Sequence, residues 1–229
     1  MKYKKQFWID TLGKGWAIQL QELLKTEYGT SKLMGFVGAE YAMNKVKPSK
    51  ENIFKAFKLC PWESTRVVII GKQPHRNIEA ANGLAYGNEF VTQFYSPVIT
   101  RIFEQIEREF YDGLHVGFDF SLEHWASQGV LLLNKQLTIR EEDKGEHTKP
   151  WGKFISAVLN ALNEYKPGTI YILWGEENQK LKPFLEKNNY VLTFDDPKNY
   201  VYPKKDWHCP NFKEANVILN NLYKETIKW

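Results

Sequence analysis

Apolar residues recur along this chain at two spacings, and the two alternate. Residues 1–35 set Trp8, Ile9, Leu12, Trp16, Ile18, Leu20, Leu23 and Leu24 at helical intervals, which predicts amphipathic helix with a packing role. Residues 35–43 read as a loop. Pro48-Ser49 then opens a helix through Ile53, Phe54 and Phe57, with Ser49 as a cap and Pro61 as its stop. Residues 67–70 are four β-branched residues without a polar interruption, the pattern of a strand covered on both faces. Val98, Ile102, Ile106 and Phe110 return to helical spacing over 97–110. Residues 130–133 form a second fully apolar strand, with Asn134 at its carboxyl end. A helix over 151–165, a strand over 169–173, a strand over 190–194 and a helix over 212–223 complete the alternation. Strands separated by helices predict an α/β protein, here one domain over 1–229 with residues 1–45 as an N-terminal helical extension, no linker and no internal repeat.

Composition narrows the class. With 43% hydrophobic residues in 229, the chain can build a substantial core. No apolar run approaches the roughly 20 residues a membrane-spanning helix needs. The start, Met-Lys-Tyr-Lys-Lys-Gln-Phe-Trp, has charge with no apolar stretch behind it, so a secretion signal is not expected. Two cysteines, Cys60 and Cys209, make neither a disulfide framework nor a zinc cluster, which fits a reducing, cytoplasmic setting. The net charge of +4 permits nucleic-acid binding without demanding it. Eight tryptophans invite thoughts of base stacking, but core packing is the default for such residues.

Chemistry concentrates behind the first apolar strand. Gly71-Lys72-Gln73-Pro74-His75-Arg76 sets two cations, an amide and an imidazole just past a strand's carboxyl end, where open α/β sheets bind ligands. An ordinary solvated turn has the same composition. Asn134 ends the second apolar strand and offers one acceptor and two donors, enough to read a pyrimidine edge or simply to cap a turn. Ser96, before Pro97, can hold a phosphate at a helix start or serve as a plain cap.

These stretches resemble family-1 uracil-DNA glycosylases. The frame Gly71 to Arg76 followed by Gly83-Leu84-Ala85-Tyr86 keeps the spacing of that family's Gly-Gln-Asp-Pro-Tyr-His loop and its Gly-Leu-aromatic segment. Residues 128–140 (Gln-Gly-Val-Leu-Leu-Leu-Asn through Leu137-Thr138-Ile139-Arg140), Trp174-Gly175 and Gln179-Lys180 match as well. Counted back from Cys209, residues 196–201 occupy the family's His-Pro-Ser-Pro-Leu-Ser loop. The resemblance covers about residues 46–222. It implies a three-layer α/β/α fold around a mostly parallel four-stranded sheet, DNA as partner, a monomer, and hydrolysis of an N-glycosidic bond without a cofactor. It also implies that Tyr86 stacks on a flipped base, that Asn134 reads its edge, that Ser96 lies in a loop holding the DNA backbone, and that Tyr200 stands at the wedge position; by their charge Lys72, Arg76 and Lys198 suit DNA phosphates, although lysines such as Lys198 are equally the mark of a solvated loop.

Two catalytic positions depart from the family. Gln73 stands where the water-positioning Asp is expected, and Asp196 where the late His is expected. An amide cannot offset a sugar cation with full charge, and an anion faces a departing base anion unfavourably. The family's mechanism therefore does not transfer unchanged. Asp196 or Asp195 can supply the missing carboxylate from the opposite loop, with Gln73 holding water and Lys72 or Arg76 supplying positive charge. His75 replaces the Tyr that rejects a methyl on carbon 5, which opens the pocket toward a polar 5-substituent such as hydroxymethyl or a sugar on it. Activity of that kind would suit defence against phages with hypermodified DNA. Two alternatives stand beside this reading: a non-catalytic DNA-binding or scaffold protein, and a uracil glycosylase with a rebuilt site.

Overall fold

A computed structural model describes residues 5–75, 80–89, 96–114, 117–142 and 147–229. Its N-terminal region is not one long helix. Helices α1 (Lys5–Leu12), α2 (Lys14–Gln19) and α3 (Gln21–Leu24) follow one another, broken first at Gly13, whose φ of 85° an L side chain rarely adopts. Of the predicted apolar face only Ile18 lies exposed. A π turn over Tyr28–Lys32 leads into α4 (Leu33–Met43), which corrects the loop expected over 35–43. Gly35 and Gly38 argue locally against a helix, but burial of Leu33, Val37 and Glu40 overrides that weak preference.

Glu40 is the reason this helix docks where it does. Arg140 donates to its carboxylate from Nε at 2.6 Å and Nη2 at 2.7 Å, and Nε2 of buried His147 lies 3.1 Å away. The Arg140 hydrogen bonds, the largest influence, hold the Glu40 carboxyl below the usual carboxylate value of 4.5. A carboxyl whose folded pKa is depressed stabilises the fold fully above its unfolded pKa and loses that contribution as pH falls through the folded one. Glu40→Gln is therefore expected to lower the urea midpoint at neutral pH and to flatten its decline below about pH 4.5. Parallel acid profiles of parent and variant would refute this.

Strand β1 (Val46–Lys47) comes next, then a 3-10 turn over Lys50–Asn52 and helix α5 (Lys55–Leu59). The single helix expected after Pro48 is thus two short pieces, and the Ser49 side chain makes no capping bond. Strand β2 (Val67–Gly71), helix α6 (Pro97–Phe110), helix α7 (Glu123–Ser127), strand β3 (Val130–Asn134) and strand β4 (Ile139–Arg140) follow. The chain continues through α8 (Thr148–Tyr165), β5 (Ile170–Trp174), α9 (Glu176–Gln179), α10 (Lys182–Leu185), β6 (Tyr190–Phe194) and α11 (Asn211–Tyr223).

The central sheet runs β3-β2-β5-β6, and every pairing in it is parallel. Strands β2, β3 and β5 are buried residue by residue, as their uninterrupted apolar runs require, while β6 lies at the edge and is partly exposed. A separate two-stranded antiparallel sheet pairs β1 with β4, Val46 opposite Arg140. Helices α5 and α7 pack on β3, and α10 and α11 on β6. All eight tryptophans are buried, six of them below 2% exposure, so the aromatic content serves the core.

Parallel strands put all their carboxyl ends on one side. Gly71 pairs with Asn134 at the ends of β2 and β3, and Trp174 pairs with Phe194 at the ends of β5 and β6. Residues 72–75, 134–136, 175–178 and 195–200 therefore meet along one rim of the sheet.

Gly83 fixes the segment that crosses this rim. Its φ is 91°, and a Cβ there would lie 2.0 Å from the Asn52 carbonyl oxygen. Gly83→Ala is expected to cost about 2–3 kcal/mol, from left-handed strain plus a backbone clash, read as a lower denaturant midpoint at unchanged m-value. An unaltered midpoint would mean that this backbone contact is not maintained.

Candidate active site

Fourteen residues line a pocket of about 210 Å³ at the rim: Gly71, Lys72, Gln73 and His75 at and after the end of β2, then Leu84, Tyr86, Gly87 and Asn88, and others named below. Lys72 and His75 are exposed, Gln73 is half-buried and Pro74 is buried. Asn134 is 3% exposed, and its Oδ1 has no hydrogen-bond partner. A Cβ on Gly71 would stand 2.4 Å from that oxygen, so glycine is required for the amide to lie where it does. The Lys135 N–H donates to the Gly71 carbonyl at 3.0 Å and locks the two strand ends together. Burial lowers the Lys135 ammonium pKa, with Lys72 and Lys180 adding repulsion against the opposing pull of Glu177.

Tyr86 reaches the pocket from a segment stitched to β3. The Ala85 N–H donates to the Leu132 carbonyl, the Leu84 N–H donates to Asn82 Oδ1, and Asn82 Nδ2 donates to the carbonyls of Asn88 and Ser121. Tyr86 itself adopts a φ of 65°, a left-handed conformation that costs a non-glycine residue about 1–3 kcal/mol and that clusters at ligand sites. Its ring meets Trp174 edge-on at 5.2 Å. Burial pushes its phenol far above the usual value, and the nearby Asp196 adds to the rise.

The loop after β6 closes the opposite wall. Asp196 caps a 3-10 turn over Pro197–Tyr200 by accepting the Lys198 N–H at 3.0 Å. Its side chain packs on Gly175, where a Cβ would come within 3.0 Å of the Asp196 Cβ. Lys198 Nζ lies 3.2 Å from its other oxygen, and both residues line the pocket. This ion pair is largely solvated on the lysine side, so it is worth at most about 1 kcal/mol. The two neighbouring aspartates therefore separate: Asp196 faces the pocket, whereas exposed Asp195 is absent from its lining. Asp195 accepts the Tyr200 hydroxyl at 2.8 Å, and its carbonyl accepts Trp207 Nε1. Tyr200 is thus half-buried and bonded back to its own loop, outside the pocket lining.

Ser96 caps α6, its Oγ accepting the Val98 N–H at 3.3 Å, and both residues line the pocket. Capping and a pocket position are here the same thing, because the amino end of this 14-residue helix points at the rim. Arg76 falls outside the described residues. The structure thus brings Lys72, Gln73, His75, Tyr86, Ser96, Asn134, Asp196 and Lys198 together, and leaves Asp195 and Tyr200 apart. Sequence reasoning passed over Asn88 and Asn178, which also line the pocket. Neither carries a local signal. Among the described residues no helix is long and apolar enough to cross a membrane.

Comparison with known proteins gives a consistent picture. The family model described as the uracil DNA glycosylase superfamily matches residues 57–220. A uracil-DNA glycosylase of Amoebophilus asiaticus is 33% identical over 222 residues, spanning 95% of this chain and 98% of its own length. One from Bacteroides thetaiotaomicron is 34% identical over 219 residues, spanning 94% and 97%. Among solved structures, that of mimivirus uracil-DNA glycosylase superposes with a TM-score of 0.80 over 100% of this chain and 94% of that one. At 17% identity that likeness speaks for the fold alone.

Proposed function

The chain belongs to the uracil-DNA glycosylase superfamily, and from that premise we propose that it is a DNA N-glycosylase that flips a pyrimidine out of DNA and excises it. The observation that carries the reading is the Asn134 amide, buried, with an unpartnered oxygen, in a pocket that also holds Tyr86 and Asp196. A flipped base needs an aromatic surface and an edge reader, and both are available.

The reaction needs little else. Water adds to the sugar C1′, the C1′–N bond breaks, and its electron pair leaves on the base. The base then takes up a proton, and a water proton passes to solvent, leaving an abasic site. Positive charge develops on the sugar, and the Asp196 carboxylate offsets it across the pocket. Gln73 holds the attacking water through its side-chain carbonyl. Lys72 supplies positive charge near the departing base or an adjacent phosphate.

The relatives' names give uracil as their base. Here His75 lines the pocket at the position where the family's bulky Tyr is expected, and this shorter polar side chain favours a pyrimidine with a polar 5-substituent. Such an activity fits defence against phages with hypermodified DNA. Base release from duplexes containing uracil, thymine, cytosine, 5-hydroxymethylated pyrimidines or glucosylated hydroxymethylcytosine, with abasic sites revealed by alkali, tests both levels. Faster release of the substituted bases than of uracil is the expected result. Release of uracil alone would remove the His75 argument and leave the relatives' substrate. Binding without release of any base would make the protein a non-catalytic platform.

A further inference from the structure

Several buried side-chain amides among the described residues are fully engaged. Buried Asn82, Gln105 and Asn211 each bond to a carbonyl, an indole or a neighbouring side chain. Among the described residues only three amides hold a buried polar atom without a partner, namely Asn88, Asn134 and Asn178, and all three line the same pocket. An unpaired buried acceptor costs about 1–3 kcal/mol, so three lining one pocket call for an occupant.

Asn178 is the most constrained of them. Its Nδ2 donates to the Ile70 carbonyl at 2.8 Å and to the Trp174 carbonyl at 3.1 Å. Those carbonyls lie near the carboxyl ends of β2 and β5, so reversing the amide would set oxygen against oxygen. Both hydrogens are thereby spent, and Oδ1 is left as a fixed acceptor on a residue only 5% exposed. Asn88 is 1% exposed. Its N–H donates to the Phe120 carbonyl at 2.8 Å and its own carbonyl accepts Asn82 Nδ2, while both polar atoms of its side chain stay unpaired.

A plain pyrimidine edge is short, and Asn134 by itself offers it an acceptor and donors. A fixed second acceptor at Asn178 and an acceptor–donor pair at Asn88 exceed what that edge can use. We propose that Asn178 and Asn88 are specificity-determining residues that hydrogen-bond a hydroxyl-bearing substituent on the excised base, Asn178 Oδ1 accepting the hydroxyl proton. A hydroxyl both donates and accepts, so it satisfies either amide. The inference rests on the glycosylase reading above and deepens it.

The test compares duplexes that differ only in one base, 5-hydroxymethyluracil or uracil, with the parent protein, Asn178→Ala and Asn88→Leu. The quantity is the ratio of single-turnover kcat/KM for the two bases. General damage to the fold lowers both rates and leaves the ratio alone. Loss of one hydrogen bond in a desolvated pocket should lower the ratio about tenfold in each variant. A ratio within about twofold of the parent's in both variants would mean that the amides are satisfied by buried water, and the inference falls. Release of uracil but not of the hydroxymethylated base by the parent would also overturn it, while leaving the glycosylase reading intact. Should the parent release neither base, the glycosylase reading fails, and the ratio of dissociation constants for the same two duplexes decides the inference by the same criterion.

Discussion

Replacing Asp196 with Asn lowers the single-turnover rate of base release about 100- to 1,000-fold, the usual loss when one electrostatic group aimed at developing charge is removed. The substitution keeps the shape and the turn cap, because an amide oxygen can still accept the Lys198 N–H that Asp196 accepts at 3.0 Å. Only the charge disappears. DNA affinity should hold, since the loss falls on the transition state. Asp195→Asn is the control: that carboxylate lies outside the pocket lining and is bonded to Tyr200, so its loss should change the rate by less than about threefold. A sharper check is rescue. Gln73 lines the same pocket, so Gln73→Asp placed on Asp196→Asn returns a carboxylate to the site from the other loop and should recover a large part of the lost rate. Asp196→Asn protein at parental rate would move the catalytic charge elsewhere.

Asn134→Ala is expected to reduce kcat/KM for base release by about 100-fold or more, because a site built to hydrogen-bond its substrate discriminates strongly through that bond. Part of the Asn134 amide is idle in the free protein. Its Oδ1 has no partner, so truncation breaks no bond at that atom. Stability should change little, since the remaining cost is the cavity left by a small polar side chain, whereas function collapses. Thermal unfolding and single-turnover kinetics on the same preparation separate the two. A large fall in stability with little change in rate per folded molecule would make Asn134 a structural residue of the β2–β3 edge.

The main elements were legible because their patterns are local. Uninterrupted apolar runs at 67–70 and 130–133 suit strands buried on both faces, and the helical spacing after Pro97 leads to α6 over the span expected. Helix α4 was illegible for the opposite reason. Its glycines disfavour a helix, and what holds it is Glu40 bound by Arg140, a partner distant along the chain. The short break after Pro48, between the turn at Lys50–Asn52 and α5, likewise has no local stop signal.

The candidate site divides along the same line. Pattern and resemblance by themselves determined the α/β alternation, the parallel strands whose carboxyl ends must share one rim, and the placing of Gln73, Tyr86, Asn134 and Asp196 on loops at that rim. Only the tertiary structure decided which of two adjacent aspartates faces the pocket, that Tyr200 is tied back to Asp195, and that the Asn88 side chain and the Asn178 oxygen are left without partners in the pocket that Asn134 also lines. The physical reason is that periodicity records which face of an element is buried. A polar side chain on a loop is oriented instead by partners brought from elsewhere, such as the Ile70 carbonyl that pins Asn178 and the Gly175 backbone against which Asp196 packs.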